Sequence, residues 1–174
     1  MGVTKQQTAT VGWHWIAAVS TAGVLISHIL LEGGGNPYVR AAGIACLLLS
    51  PIFIFPPFLL LKRYGRPPHG KPYYCTTVVV DRGVYSIVRH PQYVGYVLLT
   101  LGFAALSQQT LTFALAVCSV GAFYVQSLRE EAFHRKQPGD DYSEYMRRVP
   151  RFNFIAGLFR HLFISDQHQN VRKP

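Results

Sequence analysis

Apolar residues along this chain come in long unbroken blocks. No Asp, Glu, Lys or Arg occurs in residues 6–31, 41–61 or 91–128. A membrane helix needs about 20 mostly apolar residues. The pattern therefore predicts spans over about residues 11–31, 39–61, 91–106 and 111–128, the last two folded into a hairpin by the polar turn Ser107-Gln108-Gln109-Thr110. Pro51 and the Pro56-Pro57 pair should kink or break the second span, although prolines are tolerated where neighbours re-satisfy the freed carbonyls. The first run ends at Leu31-Glu32-Gly33 with no A-x-A site, so it reads as a retained span rather than a cleaved signal. The expected fold class is all-α integral membrane: one domain over residues 1–174, four transmembrane helices with a C-terminal hairpin, and a cytoplasmic helical tail.

Outside the blocks the punctuation changes. Gly33-Gly34-Gly35 follows no strand and lacks a Lys, so it reads as a flexible turn and not a phosphate loop. Arg66-Pro67-Pro68-His69-Gly70-Lys71-Pro72 is rich in helix breakers. Residues 76–80 are β-branched and read as an extended connector, followed by a turn at Asp81-Arg82-Gly83. The fourth helix should run on through Arg129-Glu130-Glu131 to Gln137 and stop at Pro138-Gly139. Asp141 with Glu144 resembles a capping box. On the helix it would open, Tyr142, Tyr145, Met146 and Val149 share one face while Arg147 and Arg148 point away. Phe152, Phe154, Leu158, Phe159, Leu162 and Phe163 continue the apolar surface, and the last ten residues, being polar, are expected to be mobile.

Composition sharpens this picture. The chain is 49% hydrophobic and 14% charged, against about 25% charged in soluble domains, which excludes an ordinary water-soluble globule. An aromatic content of 13% excludes disorder. The three cysteines form no CxxC pair, so neither a disulfide framework nor a zinc knuckle is expected. The net charge of +9 is concentrated in two places. Residues 62–89 carry Lys62, Arg63, Arg66, Lys71, Arg82 and Arg89 against Asp81 alone, and nine Lys or Arg follow Leu128. The positive-inside rule then puts the second loop and both termini in the cytoplasm. Because these cations flank spans, anionic headgroups are their expected partners and nucleic acid is not.

Two regions could carry chemistry. Residues 83–96 place Arg89, His90 and three tyrosines at the mouth of a membrane helix; an interfacial anchor has the same composition. Glu130-Glu131 follows an apolar helix, and either pairs with a nearby cation or receives a cationic ligand group. His14 and His28 fall within roughly 40° of each other on the first helix. Beyond His90 at the rim, the other spans offer no partner for a haem, so interhelical hydrogen bonds are expected of His14 and His28.

Arg89-His90-Pro91-Gln92-Tyr93-Val94-Gly95, preceded by Gly83-Val84-Tyr85, resembles the signature of the isoprenylcysteine carboxyl methyltransferase family, which is related to the phospholipid N-methyltransferases. Glu130-Glu131, Gly139-Asp140-Asp141-Tyr142, Tyr145 and Val149-Pro150-Arg151-Phe152 agree in the same order. The likeness covers residues 77 to about 154. It implies a membrane methyltransferase that uses S-adenosylmethionine without a Rossmann domain, in agreement with the absence of G-x-G-x-x-G after a strand. It further implies a cofactor-binding part over about residues 70–160, enclosed between hairpin and tail. Carried over by position, the cofactor contacts are Thr77, Val78, Val79, Val80, Tyr85, Arg89, His90, Pro91, Gln92, Tyr93 and Glu130.

Chemistry suits those roles. Glu130 can receive the ammonium of the cofactor, His90 with Arg89 its carboxylate, and Tyr85 or Tyr93 its adenine or sulfonium. Catalytic proton transfer, needed only for an amine acceptor, falls to His90 or Glu131. The prenylcysteine enzymes carry a substrate-contacting Arg four residues before the cofactor Glu. Gln126 stands there in this chain, which leaves a lipophilic acceptor other than a prenylcysteine carboxylate open. His134 and Pro138 also replace residues that are usually apolar in the family. The expected partners are a lipophilic or lipid-modified acceptor and membrane lipids; oligomeric state is not legible. Two rival readings are a membrane sterol-type reductase using a nicotinamide nucleotide and a non-enzymatic four-span carrier or assembly protein. A carrier should place polar groups at mid-membrane, whereas these lie at one rim.

Overall fold

The computed structural model describes residues 2–31, 33–135 and 141–169, with side chains for 12–31, 33–135 and 142–162. Among them are seven helices: α1 Gly2–Leu30, α2 Pro37–Tyr64, α3 Val84–Ile87, α4 Pro91–Ser107, α5 Thr110–His134, α6 Asp141–Arg148 and α7 Phe154–Gln169. No strand occurs among the described residues, and 76–80 is an irregular connector. Three of the helices, α1 (over Gly12–Leu30), α2 and α5, are long and apolar enough to cross a membrane. The 17 residues of α4 reach about 25 Å at 1.5 Å per residue, somewhat short of an apolar core of about 30 Å.

Several boundaries follow from local chemistry. Asn36 caps α2: its Oδ1 accepts from the N–H groups of Tyr38 and Val39 at 3.0 and 3.2 Å, and Pro37 occupies the first helical position, where no N–H is needed. Pro91 opens α4 in the same way. In α5 the helix ends at His134, with the Arg135 N–H closing on the Glu131 carbonyl. The expected stop at Pro138-Gly139 lies outside the described residues, as does the side chain of Asp141 on which a capping box depends.

Two expectations need correction and one is extended. The first apolar block, expected over about residues 11–31, is matched by the span Gly12–Leu30, and the helix that carries it, α1, starts earlier, at Gly2, because hydropathy registers membrane depth and not helicity. Of the kink or break expected at Pro51 and Pro56-Pro57, the break does not occur: α2 runs continuously through all three prolines. The last ten residues are not all unstructured: α7 extends to Gln169, and 170–174 lie outside the described residues.

The chain divides into two compact units, Met1–Ile52 with Tyr93–Gln137 and Phe53–Gln92 with Pro138–Pro174. In the first, α1 packs along α5. Small residues make the seam, with Ala17 against Ala122 and Phe123, and Val24 against Ala104 and Ala116. Hydroxyl pairs cross it: Thr21 with Ser119 at 2.7 Å and Ser27 with Thr112 at 2.9 Å. Lipid tails are as apolar as Leu, so close approach and interhelical hydrogen bonds hold such helices together. Gly43 and Gly102 let the backbones of α2 and α4 approach closely. A Cβ at Gly43 would lie 2.8 Å from the Gly102 carbonyl oxygen. The triglycine turn is pinned, contrary to the expected flexibility. Gly34 N–H donates to the Ser107 carbonyl at 2.9 Å, and the Gln108 amide bonds the Asn36 backbone in both directions at 3.0 and 3.2 Å.

In the second unit, α7 docks on α3. Arg160 Nη2 donates to the Ser86 carbonyl at 2.5 Å, and the Phe154 ring packs on Phe53 with centroids 5.2 Å apart. Contact is closest at Gly157, where an added Cβ would fall 1.8 Å from the Ile87 carbonyl oxygen. Gly157→Ala is therefore expected to cost about 1–3 kcal/mol and to lift α7. Limited trypsinolysis should show faster cleavage after Arg160 than in the parent chain; an unchanged cleavage rate would contradict this packing.

Candidate functional site

In the first unit, Gln126 and Glu130 stand one turn apart on α5, so their side chains share a face. Gln126, 1% exposed, donates from Nε2 to Glu130 Oε1 at 3.1 Å. Tyr93, from α4, donates its hydroxyl to the same oxygen at 2.5 Å, the short end of the range for an O–H bonding a carboxylate. With that proton committed, His14 of α1, whose Nε2 lies 3.5 Å from the Tyr93 oxygen, has to be the donor in that pair. The Tyr93 ring is held by Phe123, which it meets at a centroid distance of 5.4 Å; Tyr96 stacks on Phe123 at 5.5 Å. Arg129 turns to the Trp13 ring, 5.5 Å from its centroid, so the adjacent cation serves Trp13. Glu131 is fully buried, about 100° around the helix from Glu130. One polar atom of the cluster is left over: Gln126 Oε1 is buried and has no hydrogen-bond partner among the described residues.

His14 thus makes an interhelical contact of the expected kind. His28 does not do so through Nδ1, which is buried without a partner among the described residues; its ring lies against Phe103 at 5.3 Å.

The second unit holds the rest of the signature. Gly83, at φ +58, turns the chain into α3. From there the signature is clamped to the tail. Arg89 N–H donates to the Pro150 carbonyl at 2.9 Å, His90 N–H to that of Arg151 at 3.4 Å, and Arg89 Nη1 to that of Met146 at 3.5 Å. The His90 ring meets Phe152 at 5.9 Å. Tyr145 is the clamp's buried pin, its hydroxyl donating to the Tyr85 carbonyl at 2.7 Å. Burial pushes the Tyr145 phenol far above its usual range, reinforced by the neighbouring Tyr142 and Tyr85. Gln92 Nε2 reaches the Tyr73 hydroxyl at 3.4 Å. Thr77 is tied by its N–H to the Gly65 carbonyl at 3.0 Å and by its hydroxyl to the Arg66 carbonyl at 2.9 Å. Val78, Val79 and Val80 line a cavity with the arginine-rich end of α2.

The predicted residues therefore fall into two sets. Tyr93, Gln126 and Glu130 come together in the first unit, with Glu131 buried beside them. Thr77, Val78, Val79, Val80, Tyr85, Arg89, His90, Pro91 and Gln92 belong to the second. Sequence reasoning assigned His14 only a generic interhelical hydrogen bond, and assigned Tyr145 a place on an amphipathic face and in the family motif without a partner. A hydroxyl inside an apolar stripe was the physical signal that the latter needs a buried acceptor.

A family model described as phospholipid methyltransferase matches residues 39–140. Among curated proteins, 74 residues are 34% identical to the protein-S-isoprenylcysteine O-methyltransferase of Schizosaccharomyces pombe, covering 42% of this chain and 31% of that protein. Over 94 residues the chain is 32% identical to protein-S-isoprenylcysteine O-methyltransferase B of Arabidopsis thaliana, covering 53% and 44%. Over 82 residues it is 30% identical to the cobalt-zinc-cadmium resistance protein CzcN of Cupriavidus metallidurans, covering 47% and 38%. The chain thus spans less than half the length of these relatives. No solved structure matches it.

The raised Tyr145 phenol fixes a pH dependence. Unfolding frees it to ionise in the ordinary range near 10. Above that pH the unfolded chain holds fewer protons than the folded one, so stability falls as pH rises. Tyr145→Phe should remove this part of the alkaline loss. Melting curves between neutral pH and pH 11 test it, and equal slopes in both chains would contradict the clamp.

Proposed function

This chain belongs to the phospholipid methyltransferase family, and from that premise we propose that it transfers a methyl group from S-adenosylmethionine to a lipophilic acceptor at the cytoplasmic face of a membrane. One observation carries the reading. Two residues more than thirty positions apart in the chain, Tyr93 of the signature and Glu130 of the acidic pair, join through a 2.5 Å hydrogen bond.

The residues fit a cationic cofactor. The cluster offers a carboxylate already oriented by two donors, together with the buried carboxamide oxygen of Gln126, which lacks a partner among the described residues. When bound, the cofactor supplies an activated methyl group on a sulfonium. Glu130 takes the ammonium, held in place by Tyr93 and Gln126. Phe123, stacked on Tyr96, packs against the Tyr93 ring and holds that donor in place. In the second unit, the Arg89–His90 corner, fixed by the tail, is assigned to the cofactor's carboxylate, and Tyr85 with residues 77–80 to its nucleoside. Displacement at carbon needs no enzyme nucleophile, so alignment supplies most of the rate. A carboxylate acceptor arrives ionised, whereas an amine has to lose a proton, which His90 or Glu131 takes.

The proposal includes the membrane arrangement. With α4 as the fourth crossing, beginning at the rim at Pro91, both termini are cytoplasmic and the acceptor enters sideways from the lipid. The names of two relatives, both protein-S-isoprenylcysteine O-methyltransferases, support a lipid-modified acceptor.

Glu130→Gln retains the acceptor for Tyr93 but removes the charge. Calorimetric titration with S-adenosylhomocysteine should show binding weakened on the order of 10- to 100-fold, the worth of a charged hydrogen bond. Unchanged affinity would contradict the assignment. Acceptors with a prenyl or acyl chain should react faster than the same headgroup without one; equal rates would contradict sideways entry.

A further inference from the structure

Helix α7 has two unlike faces. At 100° per residue, Ile155, Leu158, Phe159 and Leu162 fall within an arc of about 100°, and all four are exposed. Gly157 and Arg160 lie about 150° from the centre of that arc and make the contacts with α3. Gly157 meets the Ile87 carbonyl, and Arg160 Nη2 donates to the Ser86 carbonyl at 2.5 Å. His161, next along the chain, brings Nδ1 to 3.4 Å from the Ser86 hydroxyl oxygen. The side of α7 that carries the cation therefore packs on protein, and the apolar stripe is turned outward. A helix covering a water-soluble core does the reverse.

Within the same unit, α2 sets the depth of this layer. The Phe154 ring packs on Phe53 at 5.2 Å. Gly83, which opens α3, approaches Leu60 so closely that a Cβ there would lie 3.0 Å from the Leu60 Cδ1. Both α2 residues belong to the charge-free block that ends at Leu61, and Lys62 and Arg63 follow it. Such cations mark the edge of the apolar layer. Phe53 precedes Lys62 by about 14 Å along the helix axis, at 1.5 Å per residue, so α7 begins inside that layer. Over the same stretch of α2, Phe55, Phe58 and Leu59 are also exposed. With 16 residues, α7 reaches about 24 Å, short of an apolar core of about 30 Å, and so stays within one leaflet.

We propose that α7 is embedded in the leaflet that holds the end of α2, with Ile155, Leu158, Phe159 and Leu162 against lipid acyl chains. A guanidinium at that depth has to be satisfied by protein, and the Ser86 carbonyl meets that need for Arg160. The helical tail expected to face the cytoplasm is, along α7, covered by lipid instead. This placement requires α2 to cross the membrane but does not require methyl transfer, and it involves no residue assigned to the cofactor.

The purified full-length chain is reconstituted in phosphatidylcholine vesicles containing a phospholipid with a diazirine midway along one acyl chain. After irradiation and trypsin digestion, label on peptide 152–160 should be within about threefold of that on the α2 peptide 41–62, and on the order of 10-fold above that on the α6 peptide 137–147. Label on 41–62 with no more on 152–160 than on the α6 peptide overturns the proposal and puts α7 in water. Absence of label from both apolar peptides overturns it too, because α2 would then not cross the bilayer. A second probe separates lipid from protein as the occupant. With Phe159→p-benzoylphenylalanine, irradiation in the same vesicles should yield a lipid adduct. A cross-linked dimer in its place gives the stripe to a second copy of the chain and overturns lipid as its partner.

Discussion

A carboxylate at the end of an apolar helix has to be given donors before the surrounding helices can pack against it. Here Tyr93 and Gln126 supply them, both to the same oxygen of Glu130. The consequence reaches beyond one hydrogen bond. Tyr93 on α4 and Glu130 on α5 are fixed face to face, Phe123 is locked against the tyrosine ring, and His14 brings α1 to the same point. Helix register along the whole first unit is then constrained at one end by this cluster and along its length by hydroxyl pairs and small residues. A carboxylate so oriented, beside an amide oxygen lacking a partner among the described residues, is prepared for a cation.

The second unit solves a different problem. A short loop bearing Arg89 and His90 has too few contacts of its own to hold a conformation. The tail lends it backbone partners from Pro150 and Arg151 and a buried tyrosine from α6. The order of motifs along the sequence, signature first and tail second, thus has a structural reason: the tail is the template on which the signature is shaped. The same unit sets the guanidinium groups of Arg63 and Arg82 beside the Tyr64 ring at the end of α2.

Much of this was legible because the physics is local. Charge-free blocks marked α1, α2 and the hairpin, Pro91 marked the start of α4, and Ser107 to Thr110 marked its turn. The spacing of Tyr142, Tyr145, Met146 and Val149 marked the side of α6 and its exit that carries the buried Tyr145 and Val149. What escaped prediction depends on partners far away in the chain. The polar start of α1 carries no hydropathy signal. The prolines of α2 read as breakers on their own, yet the helix runs through them. Gly33-Gly34-Gly35 read as slack because its anchor, the Ser107 carbonyl and the Gln108 amide, lies over seventy residues on. In the candidate site the residue types were legible, but the pairing of Tyr93 with Glu130 rested on resemblance, and the roles of His14 and Phe123 required coordinates.

The central claim, that the Tyr93–Glu130 junction receives a sulfonium nucleotide, is tested most directly by photochemical cross-linking of radiolabelled S-adenosylmethionine to the purified chain, followed by tryptic mapping. The account predicts label on the peptides 90–129 or 130–135, competed away by unlabelled S-adenosylhomocysteine. Label confined to other peptides, or none that is competed away, would contradict it.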